Sequence, residues 1–300
     1  MTTYRLYQVD AFTTEKFRGN AAGVVPNADG LGAVEMQAIA RELNNSETAF
    51  IHPPDAPDHD VVVRFFTPTT EVPSCGHATI AAHYVRAVEH DLPSCTVVQK
   101  IGAGILPVEV VRDGSGYRIV MTQGAIEFGE PLDSARVDEI VAALGLVAGS
   151  LDERCPIQIV STGHSKVLVG IDSRDTLNSL VPDAARLTEI SDRLGCNGYF
   201  VFTLATDASD VRAYGRMFAP AIGIPEDPVT GNANGPLGAY LVRHGLAVAE
   251  GGTLTFRARQ GEALGRSGVV EVMVEAEGTT PKQVRVAGRA VIAFQSELEL

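Results

Sequence analysis

The chain has 300 residues, of which 45% are hydrophobic and 20% are charged, a balance typical of a soluble globular protein with room for two medium-sized cores. Its formal net charge of −13 argues against nucleic acid and anionic membrane surfaces as partners. The first residues lack the apolar core of a signal peptide, and no apolar run reaches the length of a membrane helix. The four cysteines are scattered, so we expect a cytoplasmic protein without a disulfide framework or a structural zinc site.

Hydrophobic periodicity predicts many short strands and a few helices. The predicted strands cover residues 4–12, 21–25, 61–66, 96–101, 105–111, 117–121, 156–160, 166–171, 198–204, 211–218, 254–259, 269–274 and 284–294. The predicted helices cover residues 31–43, 137–146 and 187–194, and two more begin after Gly76 and Gly231. We predict an N-terminal half over residues 1–122 and a C-terminal half over 123–283, and the last strand, about 284–300, can return to the N-terminal half.

A repeated motif indicates that the two halves are similar. Arg64-x-Phe-x-Pro recurs as Arg216-x-Phe-x-Pro, 216 − 64 = 152 residues later, and the glycine that opens an apolar helix recurs after 231 − 76 = 155 residues. Chance similarity is the alternative, and the two apolar helices favour duplication. A helix that is apolar on nearly every face must be buried all round. We therefore predict an α+β fold in which each half wraps a curved mixed β-sheet around a central apolar helix, with an active-site cleft between the halves.

Polar loops rich in proline and glycine precede the two apolar helices. The first N–H groups of a helix have no partners within it, and the helix dipole adds positive potential there, so each helix start suits a carboxylate or an enolate. Cys75 and His77 stand at the first start, and Glu226, Asp227 and Thr230 stand near the second. Acid–base groups beside an anion site are what proton transfer next to a carboxylate requires. The sequence therefore predicts a small anionic substrate.

Each candidate residue also has an ordinary structural interpretation. A neutral His77 could relay a proton at a helix start, but it could also be a surface or capping residue. Asp227, taken alone, is typical of a turn, and Glu47, taken alone, is typical of a solvated helix-to-strand junction. Cys75 lies where a thiolate is favoured. The matching position in the second half holds Thr230, which argues against a mechanism with two thiols.

Four segments carry a resemblance to a known family, and they are Val9-Asp-Ala-Phe-Thr, Asn45-Ser-Glu-Thr, Cys75-Gly-His-Ala-Thr and Glu226-Asp-Pro-Val-Thr-Gly-Asn-Ala. In this order, and across essentially the whole chain, they resemble the signature segments of the PhzF phenazine-biosynthesis-like family. The similarity is greatest to a widespread bacterial branch of that family whose members are uncharacterised.

The resemblance implies a diaminopimelate-epimerase-like fold and, usually, a homodimer. It also implies an isomerase that needs neither cofactor nor metal and that moves a proton, with an allylic double-bond shift, on a small unsaturated or cyclic carboxylic or amino acid. By the same resemblance Glu47, His77 and Asp227 are catalytic. The residues implied to bind substrate are Ser46, Cys75, Gly76, Gly231, Asn232 and Ala233.

Two other functions remain open at this point. One is a lyase that dehydrates a hydroxy amino acid, because Cys75 together with Thr230 resembles the Cys/Thr arrangement of hydroxyproline dehydratases. The other is a binding protein for small molecules that performs no chemistry. Racemase activity is not expected from a single cysteine. The polar segment 162–166, Thr-Gly-His-Ser-Lys, fits either a substrate-contacting loop or a solvated turn.

Overall fold

The computed structural model describes residues 2–114 and 116–300, and it divides the chain into two compact units. Unit 1 comprises Met1–Thr122 together with Ala287–Leu300, and unit 2 comprises Gln123–Val286. The chain therefore leaves unit 1 once and returns to it at its C-terminal end.

The predicted elements are present with small shifts at their ends, and the structure adds a short helix at residues 174–179 and short strands at 71–72, 127–131 and 224–227 that were not predicted. The elements of unit 1 are β1 (Thr3–Ala11), β2 (Asn20–Val25), α1 (Ala33–Leu43), β3 (Glu47–His52), β4 (Val61–Phe66), β5 (Glu71–Val72), α2 (Gly76–Glu89), β6 (Cys95–Ile101), β7 (Gly104–Asp113) and β8 (Gly116–Thr122). Those that follow are β9 (Glu127–Pro131), α3 (Ser134–Leu144), β10 (Gln158–Ser161), β11 (Lys166–Ile171), α4 (Arg174–Ser179), α5 (Ala184–Leu194), β12 (Tyr199–Thr203), β13 (Ala213–Ala219), β14 (Ile224–Asp227), α6 (Gly231–Arg243), β15 (Thr253–Gln260), β16 (Gly268–Glu277) and β17 (Thr280–Glu299). Two short 3-10 helices, Ala148–Ser150 and Pro220–Ile222, complete unit 2.

The two units share one strand topology. In unit 1, β1 and β2 are antiparallel, β2 and β3 parallel, β3 and β4 antiparallel, β4 and β6 parallel, and β6 and β7 antiparallel. In unit 2, β10 and β11 are antiparallel, β11 and β12 parallel, β12 and β13 antiparallel, β13 and β15 parallel, and β15 and β16 antiparallel. The series match step for step, which confirms the prediction of two similar halves.

Each unit contains one central helix buried against its strands. Helix α2 packs against β1, β2, β3, β7 and β8, and helix α6 packs against β10, β11, β15 and β16. Most of their residues are buried, as the nearly all-round apolar pattern predicts. The other helices contribute to separate apolar clusters, α1 in unit 1 and α3, α4 and α5 in unit 2. Among the described residues, no helix has both the length and the apolar character needed to cross a membrane.

The polar segments before the central helices correct the sequence prediction. Both were predicted as loops, but residues 71–72 form β5, antiparallel to β4, and residues 224–227 form β14, antiparallel to β13. Glu226 and Asp227 therefore belong to a strand. Pro225 is tolerated there because proline can occupy a strand position that donates no ladder hydrogen bond. Strands of two to four residues are too short to show a two-residue period. Strand β9 was not predicted either, because its five residues include only one large apolar side chain, Phe128.

The repeated Arg-x-Phe motif builds the same contacts in both units. Each arginine lies over the ring of the phenylalanine two residues later. Arg64 donates two hydrogen bonds of 2.7 Å to Glu71, and Arg216 donates two of 2.9 and 2.8 Å to Glu226. The Arg64–Glu71 pair is partly exposed, whereas the side chains of Arg216 and Glu226 are only 8% and 13% exposed. Arg216 also donates to two main-chain carbonyl oxygens at the end of α4, each 3.0 Å away.

We predict that Arg216→Met lowers the free energy of unfolding by about 3 kcal/mol and that Arg64→Met lowers it by less than about 1 kcal/mol. The first substitution leaves the buried carboxylate of Glu226 and two carbonyl oxygens without their donor, while water can replace Arg64 at Glu71. Urea unfolding of the two variants measures the difference. Equal losses would show that burial does not govern these pairs.

Candidate functional site

In unit 1, predicted site residues meet where α2 begins. Cys75 is the N-cap residue of α2 in an extended conformation, its side chain makes no capping hydrogen bond, and Gly76 and His77 are the first two helical residues. Ser46 and Glu47 stand at the start of β3, which pairs with both β2 and β4. Because β4 leads through β5 into α2, the sheet brings these two short segments together.

His77 is the central group of this cluster. Its Nε2 lies 3.3 Å from Ser46 Oγ and 3.5 Å from Glu47 Oε2, and its Nδ1 lies 3.4 Å from Cys75 Sγ. With the proton on Nε2, the imidazole accepts a hydrogen bond from the Cys75 thiol and directs its own N–H at Ser46 and Glu47. The ring therefore connects the thiol to the carboxylate.

The cluster is largely shielded from water. The side chains of His77 and Glu47 are 8% and 13% exposed, so Glu47 is not the solvated turn residue that its sequence context alone indicates. The N–H groups of the first helical turn have no acceptors within the helix. A carboxylate, an imidazole and these N–H groups together can remove a proton, return it and hold an intermediate anion.

The same residues form a possible metal-binding donor set. One ligand atom from each of Glu47, Cys75 and His77 lies within 4.8 Å of the others. Carboxylate, thiolate and imidazole are all zinc ligands, and three protein ligands with one open position are typical of catalytic zinc sites. The same donors are therefore suited to bind a divalent ion such as zinc or to transfer protons. Activity measured with and without a chelator distinguishes the two.

In unit 2, Asp227 and Thr230 stand just before α6. The Thr230 hydroxyl donates a hydrogen bond to Asp227 Oδ2 and accepts one of 3.1 Å from Gln260 Nε2. Gln260 Nε2 also donates to the Asp227 carbonyl oxygen at 2.7 Å. Gln260 Oε1 in turn accepts from the Thr230 main-chain N–H at 3.1 Å. This network fixes the orientation of the buried Asp227 carboxylate. The Thr230 hydroxyl proton is used in its hydrogen bond to that carboxylate.

The three residues that open α6 differ in what they can offer a ligand. The N–H of Ala233 donates to the Thr230 carbonyl oxygen at 3.2 Å, so Gly231 and Asn232 are the better backbone donors. The side chain of Gln123 donates to Asn232 Oδ1 and to the Gly231 carbonyl oxygen, both at 3.1 Å. The side chain of Asn232 is therefore positioned from outside the helix.

Lys166 and Gln260 are polar residues of unit 2 whose burial the sequence did not predict, and Lys166 belongs to the segment 162–166 that was interpreted as a substrate-contacting loop or a solvated turn. Lys166 is the first residue of β11 and is only 3% exposed, so it belongs to neither a solvated turn nor a loop. Burial lowers the pKa of Lys166 to about 8, although the nearby carboxylate of Asp227 raises it. Gln260 is 1% exposed at the end of β15. For Gln260, a polar side chain just after the predicted strand 254–259 was the sequence signal.

Comparison with known proteins identifies the family. The sequence model of the PhzC-PhzF family, described as phenazine biosynthesis-like protein, matches residues 9–296. The chain belongs to the PhzC-PhzF family. An uncharacterized isomerase of Clostridium acetobutylicum is 56% identical over 297 residues, covering 99% of this chain and 98% of that protein. A trans-2,3-dihydro-3-hydroxyanthranilate isomerase of Pseudomonas aeruginosa is 31% identical over 285 residues, 95% of each protein. These names support isomerase activity for this PhzC-PhzF protein.

Solved structures confirm the predicted fold. A phenazine biosynthesis protein of the PhzF family from Bacillus anthracis has a TM-score of 0.87 and 30% sequence identity, and the match covers all of both chains. A probable proline racemase from Agrobacterium radiobacter has a TM-score of 0.67 over 99% of this chain and 93% of that chain. At 15% identity the second match shows the fold alone. The PhzC-PhzF chain therefore has the α+β fold that the resemblance implied.

We predict that Lys166→Met stabilises the protein near pH 7. The pKa of Lys166 falls from 10.5 to about 8 on folding, so burying the ammonium opposes folding by on the order of 3 kcal/mol. This opposition is complete below pH 8 and disappears as the pH rises toward 10.5, where the unfolded chain also loses the proton. Urea unfolding near pH 7 and near pH 10 should show a gain that shrinks at the higher pH. Lys282→Met, at an exposed position in unit 2, is the control, and a loss of stability in Lys166→Met would contradict the account.

Proposed function

We propose that the protein is a cofactor-independent isomerase that moves a proton, with a double-bond shift, on a small unsaturated or cyclic carboxylic or amino acid. The observation that carries the proposal is the contact of Glu47 and Cys75 with opposite nitrogens of His77 at the start of α2. The trans-2,3-dihydro-3-hydroxyanthranilate isomerase among the relatives supports the same class of reaction. Its substrate is the first compound to test here.

In the proposed reaction Glu47 acts first as a base. Its carboxylate takes a proton from an acidic carbon, and the electron pair of the broken C–H bond moves into the adjacent conjugated system. The double bond shifts, and Glu47 or His77 returns the proton to a different carbon. One proton moves and no electrons are exchanged with another molecule, so the atoms balance without a cofactor.

The remaining predicted residues have supporting roles in this proposal. The N–H groups of Gly76 in unit 1 and of Gly231 and Asn232 in unit 2 are each suited to bind an anionic group, because the first turn of a helix leaves these donors without acceptors in the helix interior. Asp227 acts as a hydrogen-bonding or proton-handling group, and its orientation through Thr230 supports that role. Ser46, within 3.3 Å of His77 Nε2, is proposed to bind substrate.

The lyase remains the second candidate because one observation favours it. Cys75 Sγ lies 3.4 Å from His77 Nδ1, which is the arrangement that activates a thiol as a base. In that reaction the thiolate takes an α-proton, the electron pair of the broken C–H bond forms a double bond, and the β-hydroxyl group takes up a proton as its C–O bond breaks and leaves as water. Thr230 gives it little help, since the hydroxyl proton is already donated to Asp227.

We predict that Glu47→Gln lowers turnover of the substrate by about 10²- to 10⁴-fold while substrate binding changes little, because the amide keeps the shape but cannot accept the proton. Conversion of trans-2,3-dihydro-3-hydroxyanthranilate and of a panel of cyclic and unsaturated amino acids measures this, with a chelator present to remove divalent ions. Glu89→Gln is the matched control. Glu89 has a side chain that is 9% exposed and ends the 14-residue helix α2, roughly 20 Å from its start. Unchanged turnover in Glu47→Gln would reject the assignment.

The variant Cys75→Ser separates the two candidate reactions. A serine hydroxyl can still donate a hydrogen bond to His77 but is a far weaker base than a thiolate, so the isomerase is expected to keep activity within about tenfold of the wild type. Parallel assays follow double-bond migration and the release of a keto or unsaturated product from hydroxyproline. If dehydration occurs in the wild type and is abolished in this variant, the lyase is the correct assignment.

A further inference from the structure

The ammonium group of Lys166 is buried in unit 2 with few partners. Its Nζ donates one hydrogen bond of 3.2 Å, to the main-chain oxygen of Ser165. Across residues 2–114 and 116–300, no carboxylate oxygen lies within 4.0 Å of it. An ammonium has three donors, and buried charges in proteins are normally paired or bound to a ligand. The Lys166 ammonium therefore makes fewer hydrogen bonds and ion pairs than a buried charge normally does.

The register of the duplicated strands shows which residue of unit 1 corresponds to Lys166. Phe66, the phenylalanine of the motif on β4, pairs with Thr48. Its counterpart on β13, Phe218, pairs with Tyr199. In the neighbouring parallel ladders Thr48 pairs with Gly23, and Tyr199 pairs with Val167. Because Gly23 and Val167 are equivalent, the residues one position earlier on β2 and β11 are equivalent as well.

The equivalent residue in unit 1 is Ala22, which makes no polar side-chain contact. The fold therefore does not need a cation at this position. Ala22 also pairs directly with Glu47 in the β2–β3 ladder. Lys166 thus takes, in unit 2, the position that in unit 1 lies beside the proposed acid–base group. A charge that opposes folding, at a position where alanine suffices, is typical of a functional residue.

We propose that Lys166 is an anion-binding residue that pairs with the carboxylate of the substrate. The ammonium uses one of its three N–H donors for Ser165, and the other two can donate to the two oxygens of a carboxylate. Such a charge-assisted contact is strong in buried surroundings. The identity of the ligand as substrate rests on the proposed function. Asp227 stands near the ammonium and prefers a cation, so the pair suits an amino acid, with its carboxylate at Lys166.

The test compares two stable aromatic probes, 3-hydroxyanthranilate and its carboxamide, by calorimetric titration of the full chain. The wild type is expected to prefer the carboxylate, and Lys166→Met to lose about 10- to 100-fold in carboxylate affinity with little change for the amide. Lys166→Arg should recover part of the loss, and Lys282→Met should behave as the wild type. No preference for the carboxylate in the wild type, or an undiminished preference in Lys166→Met, overturns the proposal.

Stability separates this role from a structural one. A lysine that merely supports the fold would lose both stability and binding on substitution, whereas Lys166→Met is expected to lose binding and gain stability. Binding of the probes requires no turnover, so this test is independent of the reaction. If Glu47→Gln keeps full activity while Lys166→Met loses carboxylate binding, the proposed isomerase mechanism fails and the anion site stands. The reverse pattern leaves the mechanism and removes the anion site.

The pH profile gives a second readout. Carboxylate affinity of the wild type should fall once the pH exceeds about 8, where Lys166 loses its proton, and the profile of Lys166→Met should be flat over that range. The other groups that act on this ammonium are Asp227 and Cys196, which raise its pKa, and His164, whose own pKa burial lowers. A wild-type affinity that does not change between pH 7 and pH 10 would contradict the role of the ammonium.

Discussion

Burial of one helix that is apolar on nearly every face constrains each unit. Strands must surround α2 and α6, and the chain has to enter each helix from the sheet through a short strand, β5 or β14. The helix start then lies at the end of the sheet, where the first N–H groups lack the i−4 acceptors of the helix interior. Both sets of predicted site residues are found at these two starts, so the position of the proposed site residues follows from how the core of each unit is built.

Hydrogen bonds and close contacts with adjacent polar side chains position the polar groups at these starts. His77 contacts Ser46, Glu47 and Cys75, and in unit 2 Gln260 contacts both Asp227 and Thr230. Replacing cysteine with threonine at the second start removes one of the thiols that a two-base racemase would need. This difference between the two helix starts is compatible with the proposed proton transfer through one carboxylate.

Much of the fold could be predicted from the sequence, because long strands and helices leave clear periodic patterns and the Arg-x-Phe repeat marks the duplication. The start of α2 at Gly76 was predicted directly. Short strands such as β14 were missed, since four residues contain too little of a period. The role proposed for Glu47 required the family resemblance, and the burial of Lys166 depends on contacts between distant strands, which no local pattern records.

Incorporation of deuterium from solvent shows whether Glu47 carries the proton. The carboxyl proton of Glu47 exchanges with water, so a substrate turned over in deuterated water should gain deuterium at a carbon-bound position, visible by NMR. The wild type and Glu89→Gln are expected to incorporate deuterium, and Glu47→Gln is expected to lose this incorporation. Equal turnover and equal incorporation in Glu47→Gln would contradict it.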